Sequence, residues 1–164
     1  MADAAPTIHA TAVLVGARAV LIRGPAGSGK SRLALTLIEA ALAGSLRFAR
    51  LVADDRVEIE ASHGRLIARP ASTLAGLIEV RGLGIRRFPH EPVAVVGLLV
   101  DLAAPDSERL PPTAALEAAL EGIRVPRLPF ASDHEPLPVL LAYFGSDVAD
   151  AGTESFISRL ASPW

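Results

Sequence analysis

The stretch Gly24-Pro25-Ala26-Gly27-Ser28-Gly29-Lys30-Ser31 fits Gly-x4-Gly-Lys-Ser/Thr, the phosphate-binding P-loop. Its glycines let the backbone curl until successive N–H groups face phosphate oxygens. Lys30 is expected to reach the terminal phosphates and Ser31 to offer its hydroxyl to Mg2+. Lys30 is also the only lysine in the chain, which is hard to read as an ordinary solvated side chain. Downstream, Arg50-Leu51-Val52-Ala53 runs into Asp54-Asp55, the arrangement that sets a carboxylate beside P-loop Mg2+. One of the two aspartates could hold the metal through water while the other handles a proton. The plainer alternative is a strand-ending turn with two solvated acids. Two further positions stay open on their own. His9 begins an apolar strand, where a histidine is usually a surface or structural residue. Glu79 and Arg81 lie two apart on one strand face, as either an exposed pair or part of a site.

Those residues need a scaffold, and the flanking pattern supplies one. Ala19-Val20-Leu21-Ile22 is a short apolar run of buried-strand type just before the loop. After it, Leu33, Leu35, Leu37, Ile38 and Leu42 fall mostly on one side of a helix that can stop at Gly44. Strand, loop, helix is the context a P-loop requires, so nucleoside triphosphate binding is expected. Ile8 to Val15 and Ala17 to Ile22 read as a hairpin around Gly16. Val57 to Glu60 and Arg65 to Ala68 read as strands joined at His63-Gly64, and Leu77 to Arg81 leads into the bend Gly82-Leu83-Gly84-Ile85. Val93 to Leu102 reads as a buried strand and 105–112 as a loop. Residues 113–121 have helical composition, and 123–130 alternates as a proline-bearing edge strand. Helices are expected from Pro136 to Phe144 and from Thr153 to Leu160.

Composition narrows the classes. At 164 residues the chain is long enough for one domain with a proper core. A formal net charge of −2 leaves no electrostatic footprint for nucleic acid or an anionic membrane. With no cysteine there are no disulfides, thiol catalysis or cysteine metal sites, which fits a cytoplasmic protein. No apolar run approaches membrane-helix length, and Met1-Ala2-Asp3 opens no signal peptide.

Several pieces then fall into one order: His9 fifteen residues before Gly24, the P-loop, Leu51-Val52-Ala53-Asp54-Asp55-Arg56-Val57, and Glu79-Val80-Arg81-Gly82-Leu83-Gly84-Ile85. Together, from about Ile8 to Phe130, they resemble the catalytic domain of the bacterial HPr kinase/phosphorylase family, here as a short form without the family's extra N-terminal domain. The resemblance implies an α/β P-loop fold of the HPr kinase and phosphoenolpyruvate carboxykinase type, a mixed sheet with flanking helices. It implies one catalytic domain over 1–164, with its motif-bearing core at about 8–130 and closing helices at about 134–161. It implies ATP- and Mg2+-dependent phosphorylation of a serine on an HPr-type phosphocarrier of the phosphotransferase system, with possible phosphorolytic removal of that phosphate. Carried over by position, Gly24, Pro25, Ala26, Gly27, Ser28, Gly29, Lys30 and Ser31 would cradle the nucleotide. Asp54 would take the serine proton with His9 close by, and Arg109 would stabilise phosphoryl charge. Ser31, Asp55 and Glu79 would form the metal side. Full-length relatives imply a homo-oligomer, specifically a hexamer. The resemblance also makes 113–121 look like strand, and strand is the expectation adopted.

Three departures from the family pattern bear on this reading. Arg32 follows the P-loop serine where an acidic residue is usual. The loop after Gly-Leu-Gly-Ile is cut to Arg86-Arg87-Phe88-Pro89-His90-Glu91-Pro92. Pro129-Phe130-Ala131-Ser132-Asp133-His134 lacks the basic character of the segment linked to dephosphorylation, which weighs against phosphorylase more than kinase activity. The competing readings are a small-molecule P-loop kinase, with Arg81, Arg86 and Arg87 as its lid, and a non-catalytic ATP-binding sensor.

Overall fold

In a computed structural model that describes residues 6–146, ten strands and two α-helices form a mixed α/β domain. The strands are β1 (Thr7–Val15), β2 (Arg18–Arg23), β3 (Ala49–Ala53), β4 (Arg56–Ser62), β5 (Arg65–Pro70), β6 (Leu77–Val80), β7 (Gly84–Arg87), β8 (Ala94–Asp101), β9 (Glu117–Leu120) and β10 (Ile123–Pro129). The helices are α1 (Lys30–Leu42) and α2 (Pro136–Gly145). The main sheet runs β2-β1-β4-β5-β8-β10-β9, and a further β2–β8 pairing closes β1, β4, β5, β8 and β2 into a ring. β2 and β10 both lie parallel to β8, and the remaining pairings of the sheet are antiparallel.

Two hydrophobic clusters follow from that ring, because alternate side chains of each strand face opposite ways. Inside it, Ala10, Ala12, Leu21, Val52, Val57, Leu66, Val96 and Leu99 pack together. On the outer face, Val13, Val20, Ile22, Leu98 and Val100 meet Leu33 and Leu37 of α1 and Leu140 of α2. The buried stripe of α1 is Lys30, Leu33, Ala34, Leu37 and Ala40, the i, i+3, i+4, i+7 spacing of a helix docked by one face. Leu42, expected in that stripe, is instead 86% exposed, because α1 ends there. Gly44 closes the helix at φ 83°, its N–H donating to the Ala41 carbonyl.

Hairpin turns account for the small strands. His63-Gly64 (φ 50° and 73°) joins β4 to β5, and Glu121-Gly122 (φ 48° and 73°) joins β9 to β10. Both are two-residue connections with positive φ at each residue, the geometry that matches strand twist. The second turn explains the fate of 113–121: Thr113–Leu116 forms one 3-10 turn, and Glu117–Leu120 is drawn out as β9 by pairing with β10. The strand expectation therefore holds for Glu117–Leu120 and not for Thr113–Leu116. The edge placement of 123–130 does not hold. Residues 123–126 pair with β9 and 127–129 with β8, so Pro126 and Pro129 each stand at the end of a ladder, where no N–H is needed. The bend after Val80 also carries a strand that the sequence did not reveal, β7, which pairs with β6, and Arg81 lies in the turn between them. The helix expected from Pro136 to Phe144 is α2, whereas the one expected from Thr153 to Leu160 lies outside the described residues. No helix among the described residues is long and apolar enough to cross a membrane.

Candidate functional site

β2 leads straight into the P-loop, and the start of that loop is fixed by packing. A Cβ placed on Gly24 would come within 2.5 Å of Ser28 Oγ and 3.0 Å of the Leu102 carbonyl, so only glycine fits. Gly27 (φ 78°) and Gly29 (φ 97°) hold left-handed backbone and face open space. Together they turn successive N–H groups to one side, ahead of the α1 N-terminus. Ser28 Oγ is buried without a hydrogen-bond partner, a donor that a phosphate oxygen would satisfy. Lys30 is buried, and its Nζ donates to the carbonyls of Gly24 (3.0 Å) and Pro25 (3.2 Å). Burial lowers the Lys30 pKa, while the nearby charges of Asp54 and Asp55 act in the opposite direction. These features fit a bound phosphate chain.

The aspartate pair is placed by a register device. β3 and β4 both run antiparallel to β1, with Ala53 opposite Ala12 and Arg56 opposite His9. Asp54 and Asp55 therefore interrupt one continuous line of chain, with Asp54 facing Thr11. The register slips just before them, between Ala12 and Val13, a bulge of the kind that re-aims side chains next to sites. Asp55 adopts φ 65°, and the Arg56 N–H donates back to the Asp54 carbonyl at 2.8 Å, so the two carboxylates diverge.

Asp54 turns inward and is 5% exposed. Its Oδ1 accepts hydrogen bonds from the hydroxyls of Thr11 and Ser31, both at 2.7 Å, and the Glu79 N–H approaches Oδ2 at 3.3 Å. Asp55 turns outward, with Oδ1 3.2 Å from His9 Nε2, both side chains more than half exposed. The structure thus brings Ser31, Asp54 and the Glu79 backbone together, and separately His9 with Asp55. Of the residues assigned to the metal side, Ser31 bonds to Asp54 and Asp55 pairs with His9, and no group of three or more His, Cys, Asp or Glu residues able to hold a metal occurs among the described residues. The Ser31 hydroxyl beside Asp54 still fits Mg2+, which takes one or two oxygen ligands from a P-loop protein and the rest from water and phosphate. Arg109 lies exposed on the loop between β8 and β9, with no hydrogen bond or ion pair tying it to the cradle among the described residues.

Two features of the site went unread in the sequence. Thr11 is fully buried within the apolar run of β1, a lone hydroxyl whose only legible signal was its position among alanines. The other is an arginine–aspartate lattice at the root of the P-loop. Asp101, ending β8, accepts two bonds from Arg23 (2.8 Å each) and one from Arg127 Nε (2.6 Å). Arg127 in turn grips Asp106 at 2.7 and 2.9 Å and donates to the Ala115 carbonyl. Burial alone would raise the Asp101 pKa, but the two guanidiniums outweigh it and hold the carboxyl below its usual range. The lattice ties β2, β8 and β10 together at the residue before Gly24.

Comparison with known proteins places this arrangement. An HPr kinase/phosphorylase of Clostridium beijerinckii is 44% identical over 78 residues, 48% of this chain and 24% of that protein. One from Streptococcus thermophilus is 42% identical over 80 residues, again 24% of that protein. The matched region thus spans about a quarter of these relatives' length. A solved structure of the Hpr(Ser) kinase/phosphatase from Coxiella burnetii superposes with a TM-score of 0.66 at 30% identity, covering 83% of this chain and 91% of that one. The profile of the HPr Serine kinase C-terminal domain matches residues 2–89, which includes His9, the P-loop, both aspartates and Glu79 but stops short of Arg109. With more than half of its residues matched, this chain belongs to the HPr serine kinase C-terminal domain family.

Proposed function

We propose that this chain is an ATP- and Mg2+-dependent protein-serine kinase acting on an HPr-type phosphocarrier, with 1–164 as a single catalytic domain. The observation that carries the reading is the junction below the P-loop, where the Ser31 and Thr11 hydroxyls converge on Asp54 Oδ1 within 2.7 Å. Relatives named HPr kinase/phosphorylase supply the substrate class.

Mg2+, when bound, would be held by the Ser31 hydroxyl, with Asp55 and Glu79 as the carboxylates assigned to it, and would supply charge neutralisation for the transferring phosphoryl group. The N–H groups of Gly27, Gly29 and the first turn of α1 would fix the phosphate chain in line for transfer. Lys30 exchanges the loop carbonyls for phosphate oxygens and brings a poorly solvated cation to the reacting group. Asp54 accepts the proton of the substrate serine as its oxygen attacks phosphorus and the bond to ADP breaks. Its Oδ1 is taken by two hydroxyls, whereas Oδ2 meets only the long contact from Glu79 N and keeps a lone pair for that proton. His9 and Asp55 form a polar rim beside it, and Arg109 is the arginine assigned to phosphoryl charge. In phosphorolysis, inorganic phosphate would take the phosphoryl group to give pyrophosphate as the bond to the serine oxygen breaks, and Asp54 would return a proton to that oxygen. A cytoplasmic homo-oligomer, hexameric as the family resemblance implies, is the expected working state.

The test is incubation with γ-labelled ATP, Mg2+ and the cognate phosphocarrier. One serine should be labelled, and Asp54→Asn should abolish labelling while retaining ATP binding. Absence of transfer at high enzyme concentration would overturn the proposal.

A further inference from the structure

The carboxyl ends of three adjacent parallel strands open into one pocket. β2 delivers the P-loop residues Ser28 and Gly29, β8 delivers Leu102 and Ala103, and β10 delivers the segment from Ala131 to Pro136. These exits are zipped together at their roots: Leu102 N–H donates to the Arg23 carbonyl, Phe130 N–H to the Asp101 carbonyl and Ala104 N–H to the Phe130 carbonyl, at 2.8–2.9 Å. The crevice beyond the carboxyl ends of neighbouring parallel strands is a recurrent ligand position in α/β proteins. Although β2 and β8 belong to a closed ring here, their carboxyl ends and that of β10 open on the same side. The fourth wall is α1, through Arg32, Leu33 and Thr36.

The pocket has a volume of about 130 Å³, well under the few hundred of a site that encloses a whole drug-sized ligand. It suits a single flat ring system whose substituents continue outside. Its floor is apolar, from Leu33, Leu102 and Ala103. Ala103 is held at φ 52°, a left-handed conformation that costs a non-glycine residue free energy and that concentrates at ligand sites. Its rim is polar and exposed, with the Arg32 guanidinium, the His134 imidazole and the Glu135 carboxylate. Arg32 and His134 are planar groups suited to stacking on a heteroaromatic face, and Ser132 and Glu135 can meet its hydrogen-bonding edge. The side of the P-loop that faces the pocket is continuous with the phosphate cradle, since Ser28 and Gly29 belong to both.

We propose that this pocket is the seat of the nucleotide's base, so that Arg32 acts as a base-stacking residue in place of the acid usual after the P-loop serine. The assignment rests on the nucleotide-binding reading above and adds to it a specificity site distinct from the phosphate cradle. Calorimetric titration of the full chain with Mg2+ and either ADP or inorganic pyrophosphate separates the two. Wild type is expected to bind ADP about tenfold more tightly than pyrophosphate. Ser132→Trp, which fills the pocket from its exposed lip, and His134→Ala, on an exposed side chain, should erase most of that advantage and leave pyrophosphate binding unchanged. Photolabelling of wild type with 8-azido-ADP should modify residues within 131–136 or 32–36. If ADP binds no better than pyrophosphate, or if the label falls only elsewhere, the base site is wrong while the P-loop reading stands. Binding of neither ligand would overturn both.

Discussion

Thr11→Val is the substitution that tests most directly how Asp54 is held. Thr11 is 0% exposed and donates to Asp54 Oδ1 at 2.7 Å across 43 residues of sequence. Valine keeps the shape and removes the donor. A hydrogen bond to a charged group contributes about 1.5–3 kcal/mol. Asp54 would keep the Ser31 hydroxyl and the Glu79 N–H, and the new methyl would be buried among the alanines of β1, so the lower end applies, about 1.5 kcal/mol. That loss should be read as a lowered urea midpoint with an unchanged slope. Because Asp54 loses one of its two short anchors, the phosphoryl-transfer rate should fall about tenfold or more, with KM for ATP little changed. Thr11→Ser, which restores a hydroxyl at the cost of a methyl, should recover rate more than stability. If valine left both midpoint and rate at wild-type values, or if serine behaved like valine in rate, Thr11 would have no positioning role.

Gly24→Ala forces a methyl to within 2.5 Å of Ser28 Oγ and 3.0 Å of the Leu102 carbonyl, the latter being backbone that cannot swing aside. The loop must shift, at about 1–3 kcal/mol, and nucleotide affinity by calorimetry should drop more than tenfold; unchanged affinity would mean that the cradle tolerates relaxation. Asp101→Asn leaves Arg23 and Arg127 facing a neutral amide. Because Arg23 is a third exposed, the expected loss at neutral pH is below the full value of a buried pair, about 2–3 kcal/mol. The sign of its pH dependence follows from a depressed carboxyl: the stabilisation is fully present above the unfolded value of 3.8 and is lost as pH falls through the lower folded value. The gap in urea midpoint between wild type and Asp101→Asn should be flat from pH 5 to 7 and close below about pH 4; a constant gap down to pH 3 would assign the effect to packing.

What could be read from the chain alone was whatever is encoded within about a dozen residues. The P-loop, its strand and helix, the hairpin at Gly16 and the turn at His63-Gly64 each rest on a local pattern of apolar spacing and special backbone positions. β7 escaped because Gly84–Arg87 is exposed along its length and shows no alternation. Proline in a strand pattern ordinarily marks a sheet edge, whereas in β10 Pro126 stands at the change of partner from β9 to β8. Within the site, the residue types were legible but their contacts were not. Nothing local to Thr11 announces Asp54, and nothing in Arg23, Asp101 or Arg127, separated by 78 and 26 positions, announces that they meet.

The aspartate pair shows what tertiary register adds to a motif. Two adjacent identical residues would share an environment in a regular strand only if they pointed the same way, and alternation forbids that. Here the separation is enlarged further: a bulge precedes Asp54, a positive φ follows at Asp55, and β1 supplies a different partner to each, Thr11 inside and His9 outside. One carboxylate becomes a buried acceptor below the P-loop and the other a solvated partner for a histidine. Carboxylates with contrasting surroundings are how one site divides proton handling from charge stabilisation. A one-residue slip of this line of chain against β1 would exchange the two, turning Asp55 to Thr11 and Ser31. The register slip between Ala12 and Val13 is therefore as much a part of the candidate site as the side chains it aims, since it fixes which aspartate lies beneath the P-loop.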